Sequence, residues 1–259
     1  WHVQVMGSGP ALLLLHGTGA ATHSWRGLAP LLSPHFTLIA PDLPGHGFTA
    51  LPERRRLSLN AMAADVAALL TTLGLAPDFV TGHSAGAAIM LRMALDERIS
   101  PKAAVSLNGA LLPFPGLGAI AFPALAKVLF LNPFAAPFLS RRASAPGAVK
   151  RLIEGTGSKL DAAGLEFYAR LFRTERHIAA AAGMMAHWDL RELKRDLPRL
   201  AVPTTLVSAD GDKAVPPSVA LEVAGLAPGV ELVELTGLGH LAHEEDPEIV
   251  SGLLRRAFA

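Results

Sequence analysis

Apolar positions along the chain switch repeatedly between a period near 2 and a period near 3.6. Val3–Met6 and Ala11–Leu15 are short apolar runs separated by Gly7-Ser8-Gly9-Pro10, which predicts two strands about a turn. Phe36–Ala40 predicts a third strand, ended by Pro41. Over Leu57–Leu73 the residues Leu59, Met62, Val66, Leu69, Leu70 and Leu73 fall at helical spacing, and Gly74 supplies a stop. Asp78–Thr81 reads as a strand, Ala85–Leu95 as a helix rich in Ala and Met, and Ala103–Leu107 as the next strand. Further on come Thr204–Ser208 (strand), Ser218–Ala224 (helix), Glu231–Leu235 (strand) and Pro247–Phe258 (helix). Strands alternating with helices predict the α/β class, a mostly parallel sheet with helices on both faces.

Between about Leu112 and Leu197 that alternation stops. A structureless loop of this length does not suit a compact domain, so the segment is expected to form an inserted helical cap. The expected organisation is one domain over residues 1–259, with a core of about 1–111 and 198–259 and a cap of about 112–197. A chain of 259 residues fits one large α/β domain and is long enough to bury a sizeable core. No internal repeat is visible.

Composition sharpens the picture at the cap. Hydrophobic residues make up 51% of the chain and charged residues 17%, low against the roughly 25% typical of globular domains. No charged residue occurs from Ala103 to Ala126, and only Lys127 interrupts as far as Leu139. A run this long raises the question of a membrane span. It contains a predicted core strand, however, and Pro113, Pro115, Pro123 and Pro133. A buried cap packed on an apolar pocket is the favoured reading, with peripheral membrane contact through the cap as the alternative.

The formal net charge of +1 and the absence of any long basic run exclude a nucleic-acid partner; Arg54-Arg55-Arg56 reads as a solvated loop. There is no cysteine, hence no disulfide and no thiolate metal site. The sequence begins at Trp1 rather than Met and shows no signal-peptide pattern. The expected location is cytoplasmic or peripheral at a membrane.

The chemistry centres on Gly82-His83-Ser84-Ala85-Gly86, a G-x-S-x-G pattern between a predicted strand and a predicted helix. Such a turn makes Ser84 stand clear of the sheet, its glycines let backbone and helix approach, and the N–H of Ala85 at a helix N-terminus can serve an oxyanion. A Ser hydroxyl needs a base. His240, after the last strand and preceded by Gly239, is in the right place, and His243 lies three residues on. The acid is expected on the loop after Thr204–Ser208, where Asp210 and Asp212 both qualify by residue type. It would fix the imidazole tautomer and stabilise the imidazolium. Thr18, on the loop after Ala11–Leu15, offers a second oxyanion N–H. His16 precedes the serine and is read as supporting its loop. His83, Asn108, Phe114 and Trp188 are candidate pocket residues. Asn108 either hydrogen-bonds substrate or caps its strand. No metal set, P-loop or dinucleotide fingerprint is present, so no cofactor is expected.

Together His16-Gly17, Asp42–Gly47, Gly82–Gly86, Asp212 and Gly239-His240 resemble the α/β-hydrolase superfamily over nearly the whole chain. The resemblance implies the order Ser84, Asp212, His240 for the triad, since the superfamily spacing favours Asp212 over Asp210. It implies a structural role for the Asp42–Gly47 loop. It also sets aside haloalkane dehalogenases and epoxide hydrolases, whose nucleophile is Asp. Trp1–Pro10, LLHGTGAATHSW (Leu14–Trp25), GHSAGAA (Gly82–Ala88) and SLNGALLPFPG (Ser106–Gly116) are further similar to the magnesium-chelatase accessory proteins of bacteriochlorophyll biosynthesis.

That closer resemblance implies a place in magnesium-porphyrin processing in photosynthetic bacteria, with a tetrapyrrole as substrate and magnesium chelatase as a partner. Phe114, Phe122, Phe130, Phe134, Phe138 and Trp188 would face such a ligand, with Arg141, Arg142, Arg170, Arg173 and Arg176 as rim cations. The expected function is a serine hydrolase acting on an ester or thioester of a bulky apolar substrate. The alternatives are a non-catalytic tetrapyrrole-binding accessory protein and a ring-cleavage or enol-lactone hydrolase.

Overall fold

The computed structural model describes residues 1–113, 132, 134–143 and 145–259. Phe114, Phe122 and Phe130 lie outside the described residues. Strands β1 (Val3–Gly7), β2 (Ala11–Leu15), β3 (Thr37–Pro41), β4 (Phe79–His83), β5 (Ala103–Leu107), β6 (Thr204–Ala209) and β7 (Val230–Leu235) form a seven-stranded sheet in the order β1-β3-β2-β4-β5-β6-β7. Only β1 runs antiparallel, paired with β3 from Val3↔Pro41 to Gly7↔Thr37; the other pairings are parallel.

The period-2 pattern of the strands is what splits the core in two. Leu13 and Leu15 of β2 and Leu206 of β6 join the helices Leu59–Thr72 and Ala85–Leu95 on one face. Leu12 and Leu14, Val105 and Leu107, and Val207 and Ala209 join Trp25, Leu28, Leu32 and the helix Pro247–Ala257 on the other. Each such strand residue thus serves one of two apolar layers, and each fully buried Leu contributes about 1.5–3 kcal/mol.

Element ends differ from the sequence reading where a side chain intervenes. Ser58 is extended, and its hydroxyl accepts the Ala61 N–H at 3.4 Å. This cap starts the helix at Leu59 and leaves Arg54–Leu57 as a 3-10 turn. Asp78 stands outside β4 because its carboxylate accepts the Ala11 N–H (2.9 Å), and β4 continues through His83. Asp246 caps the last helix through the Ile249 N–H (3.0 Å), with Pro247 in its first turn.

The insertion is helical: Ala135–Ala143, Ala148–Gly155, Ala162–Phe172, Glu175–Ala186 and Arg191–Asp196. Its last helix is tied to the core by buried Arg92, whose guanidinium bonds Asp196 at 2.8 Å and also pairs with Asp96. Among the described residues no helix is long and apolar enough to cross a membrane.

Candidate active site

Ser84 sits between β4 and the helix Ala85–Leu95 at φ 51°, ψ −116°, a conformation that side chains rarely adopt. The surrounding backbone holds it there. The Ser84 N–H donates to the Leu107 carbonyl (3.0 Å), and the Ser84 carbonyl accepts from Ala87 (3.2 Å) and Ala110 (3.1 Å). A Cβ at Gly86 would collide with the Leu15 carbonyl, and one at Gly82 would lie 2.5 Å from the Ala87 nitrogen. The glycines of the motif are therefore required by close backbone approach. The N–H of Ala85 is among those left free at a helix start.

Asp212 and His240 come together beyond β6 and β7. His240 Nδ1 lies 2.8 Å from Asp212 Oδ2, and both residues are buried. Asp212 Oδ2 also accepts from Asn108 Nδ2 (2.9 Å), while Oδ1 accepts the N–H groups of Ala214 and Val215 (2.8 Å each). A carboxylate that accepts on both oxygens leaves Nδ1 as the donor, so the proton of the neutral ring sits on Nδ1 and Nε2 keeps its lone pair. Asp210 is elsewhere, its exposed carboxylate accepting the Gly237 N–H (2.7 Å).

His240, Ser84, Ala85, Thr18, His83 and Trp188 line one cavity of about 640 Å³, walled by Leu152, Ile153, Phe172, Met185, Val215 and Leu241. Among the described residues no hydrogen bond joins Ser84 to His240; a nucleophile–base bond commonly tightens only when substrate is in place. A second apolar chamber of about 740 Å³ adjoins it and shares Leu152, Phe172 and Met185 as a partition. Arg142 and Arg151 line that outer chamber.

Several polar residues near the site support it from behind. His83 lines the cavity, but its Nε2 donates to the His240 carbonyl (2.9 Å), and burial pushes its pKa well down. Asn108, at φ 48° and 2% exposed, holds the Asp212 carboxylate and is not among the described cavity lining. His16 Nε2 accepts the Leu43 N–H (2.9 Å), which leaves Nδ1 to donate to the Gly17 carbonyl (2.8 Å). Burial lowers its pKa, and the neutral ring braces the Thr18 loop.

Asp42 accepts from Thr22 (2.7 Å) and Phe48 (2.9 Å), tying the Asp42–Gly47 loop to the same segment. His243 points away from the cavity: Ser24 Oγ bridges its Nε2 (2.8 Å) and Glu244 Oε1 (2.7 Å), and the Tyr168 hydroxyl donates to the same oxygen (2.7 Å). Burial lowers the His243 pKa to about 3 and raises that of Glu244 to about 7.

Two cap residues that no motif marked also reach the site loops. His177 Nδ1 accepts the Gly47 N–H (3.2 Å), so Nε2 donates to the Gly19 carbonyl (3.0 Å) beside Thr18. Burial lowers its pKa to about 4. Ser158 Oγ accepts the N–H of Leu241, next to His240 (2.8 Å). Of the cap arginines, Arg170 and Arg173 pair with Glu166, and Arg176 donates to the Thr49 and Gly47 carbonyls. Phe134 and Phe138 are exposed, at 78% and 60%. Among the described residues no group of three or more His or carboxylate side chains could hold a metal ion.

A strained serine between strand and helix, with an Asp-paired histidine on the loop after the last strand, is the arrangement of one class of hydrolytic enzyme. The profile of the alpha/beta hydrolase fold family matches residues 10–247, and the chain belongs to that family, with esterase-type serine hydrolysis as its enzyme class. Over 246 residues it is 42% identical to the magnesium-chelatase 30 kDa subunit of Rhodobacter capsulatus, covering 95% of this chain and 86% of that protein. It is 29% identical to pyrrolizixenacetamide deacetylase of Xenorhabdus hominickii, covering 96% and 91% of the two chains. An esterase from Exiguobacterium antarcticum shares the fold at TM-score 0.81 and 18% identity, with 99% of this chain and 94% of that one covered.

Proposed function

We propose that this chain hydrolyses an ester or thioester carrying a bulky apolar group. Ser84 is the nucleophile, His240 the base and Asp212 the acid that orients it. The observation that carries this reading is the Asp212–His240 pair, whose hydrogen bonds leave Nε2 unprotonated on the cavity that Ser84 also lines.

In the reaction Ser84 Oγ attacks the acyl carbon as its proton passes to His240 Nε2. The N–H groups of Thr18 and Ala85 take the charge that develops on the carbonyl oxygen. His240 then protonates the leaving alcohol or thiol, and the acyl group stays on Ser84. A water molecule, deprotonated by His240, attacks the acyl carbon, and Ser84 leaves with the proton restored. Asp212 stabilises the imidazolium formed in each half and keeps its own charge throughout.

Cavity size supports the substrate class. The cavity of about 640 Å³ that Ser84 and His240 line exceeds what a short-chain ester fills, and an apolar pocket of about 740 Å³ lies across Leu152, Phe172 and Met185 from it. Their walls are mainly aliphatic and aromatic, with Arg142 and Arg151 at the outer chamber to meet carboxylates on a substrate's periphery. The likeness to a magnesium-chelatase subunit supports a tetrapyrrole ester as that substrate, a role in bacteriochlorophyll biosynthesis and contact with magnesium chelatase. Exposed Phe134 and Phe138 on the cap support peripheral contact with a membrane surface.

The test compares a porphyrin methyl ester with a p-nitrophenyl acetate control, using wild type and Ser84→Ala. Hydrolysis of the porphyrin ester that is lost in Ser84→Ala is the expected result. If only the acetate is cleaved, the bulky-substrate reading fails. Porphyrin binding with no hydrolysis of either ester supports a binding protein instead.

A further inference from the structure

The geometry points to the cap turn Thr156–Lys159 as the element that positions the catalytic histidine, with Ser158 as its central positioning residue. This inference rests on the reading of His240 as the base. Three loops meet there backbone to backbone: the acid loop at Gly211, the histidine loop at Gly239 and the cap turn at Gly157. A Cβ on Gly239 would lie 2.6 Å from the Ser158 nitrogen, one on Gly211 would lie 2.7 Å from the Leu238 carbonyl oxygen, and one on Gly157 would collide with the Gly211 carbonyl. Gly157 adopts φ +89°, the left-handed region that a side chain resists. Side chains are excluded from the junction so that a cap segment can wedge between the two loops bearing Asp212 and His240.

Hydrogen bonds then fix the wedge to both loops. The Lys213 N–H donates to the Thr156 carbonyl (3.0 Å), next to the acid. The Leu241 N–H donates to Ser158 Oγ (2.8 Å), next to the base, and Ser158 is fully buried. Glu245 links the two sides, accepting the Lys159 N–H on one oxygen (3.0 Å) and the Gly239 N–H on the other (2.8 Å). With His83 holding the His240 carbonyl, both polar groups of the His240–Leu241 peptide are held, and the cap supplies one of the holds. A loop that carries a base tolerates little drift, since a misplacement near 1 Å can cost about 100-fold in rate. The cap is therefore part of the device that sets the base, and not only a roof over the cavity.

The test is Ser158→Ala, which removes the acceptor, beside Ser158→Thr, which keeps it, and Ser158→Cys, which keeps a weak one. Three readouts are used: steady-state kinetics on p-nitrophenyl acetate per folded molecule, the pH profile of kcat/KM, and the downfield NMR resonance of the His240 Nδ1 proton. Ser158→Ala should lower kcat about 10- to 100-fold with KM within about threefold, the signature of lost transition-state positioning. The Nδ1 resonance should broaden or shift upfield and the acid limb of the profile should move. Ser158→Cys should fall between, and Ser158→Thr should stay near wild type.

A Ser158→Ala protein that melts earlier but keeps the wild-type rate, profile and resonance overturns the proposal. If Ser158→Ala does not fold, Ser158→Cys decides by the same readouts. The resonance needs no turnover. A wild type without esterase activity therefore counts against the hydrolase reading, whereas an unchanged resonance in the variants counts against the cap turn.

Discussion

Replacing Asp212 by Asn tests the acid through its hydrogen bonds alone, because shape and volume hardly change. Asp212 Oδ1 accepts from Ala214 and Val215, and Oδ2 from His240 Nδ1 and Asn108 Nδ2. In the variant the single oxygen stays with the two backbone donors, since nothing else can satisfy them, and the amide NH2 turns to His240. A donor facing Nδ1 forces the proton to Nε2, where it blocks acceptance of the Ser84 proton. Asn108 accommodates the swap by turning over its own amide, because its Oδ1 is buried without a partner.

The expected loss is about 10⁴-fold in kcat, the drop known for a triad forced into the wrong tautomer. That is about 5.5 kcal/mol of transition-state stabilisation, with the folded structure retained. The assay is kcat and KM on p-nitrophenyl acetate, with thermal melting as the folding control. Asp210→Asn, which alters only an exposed bond to Gly237, should stay within about twofold of wild type, as surface changes of this kind usually do. Asp212→Asn retaining a tenth of wild-type activity, or Asp210→Asn losing more than Asp212→Asn, refutes the reasoning.

Further outcomes follow from packing and charge. Gly86→Ala should fail to fold or lose about 4 kcal/mol or more in urea unfolding, because its Cβ would collide with the Leu15 carbonyl at a backbone that cannot move; Gly74→Ala, whose Cβ meets nothing within 4 Å although φ is +65°, should lose about 1 kcal/mol. Asp196→Asn takes one of two carboxylates from buried Arg92, which keeps Asp96, and should cost about 1–3 kcal/mol with kcat per folded molecule unchanged. Stability should fall as pH drops below about 6.5: buried His243 and His177, with pKa values lowered to about 3 and about 4, stay neutral in the fold but protonate once unfolded. Glu244, raised to about 7, works the other way, since its contribution is full below about 4.5 and is lost as pH rises through 7. Glu244→Gln should therefore steepen the acid-side fall between pH 6.5 and 4.5 by about one proton, read from urea midpoints across pH; an unchanged slope contradicts the buried carboxyl.

How far the sequence carried the site depends on how local each interaction is. The Ser84 turn was legible because glycine spacing, a strand and a helix coincide within a few residues, and the helix Ala85–Leu95 has the predicted bounds. The helix after Leu57 began two residues late because an apolar stripe does not reveal a cap at Ser58. Asp78 looked like the first residue of a strand, but its carboxylate bonds Ala11, 67 residues away in sequence.

The supporting contacts were least legible. Asn108 left two readings open until the structure placed it against Asp212. Ser158 bonds Leu241 and His177 bonds Gly19 and Gly47, across separations of 83, 158 and 130 residues, from cap positions with no motif around them. Gly157, Gly211 and Gly239, glycines on loops that end up in contact, give the one local signal of that junction. Even that required knowing which loops meet.

The account depends on Ser84 being an activated nucleophile. Intact-mass and peptide mapping after treatment with a fluorophosphonate test this most directly. A single adduct on the peptide containing Ser84 is expected, abolished in Ser84→Ala. A folded protein that stays unlabelled while a control esterase reacts, or one whose adduct maps to another residue, contradicts it.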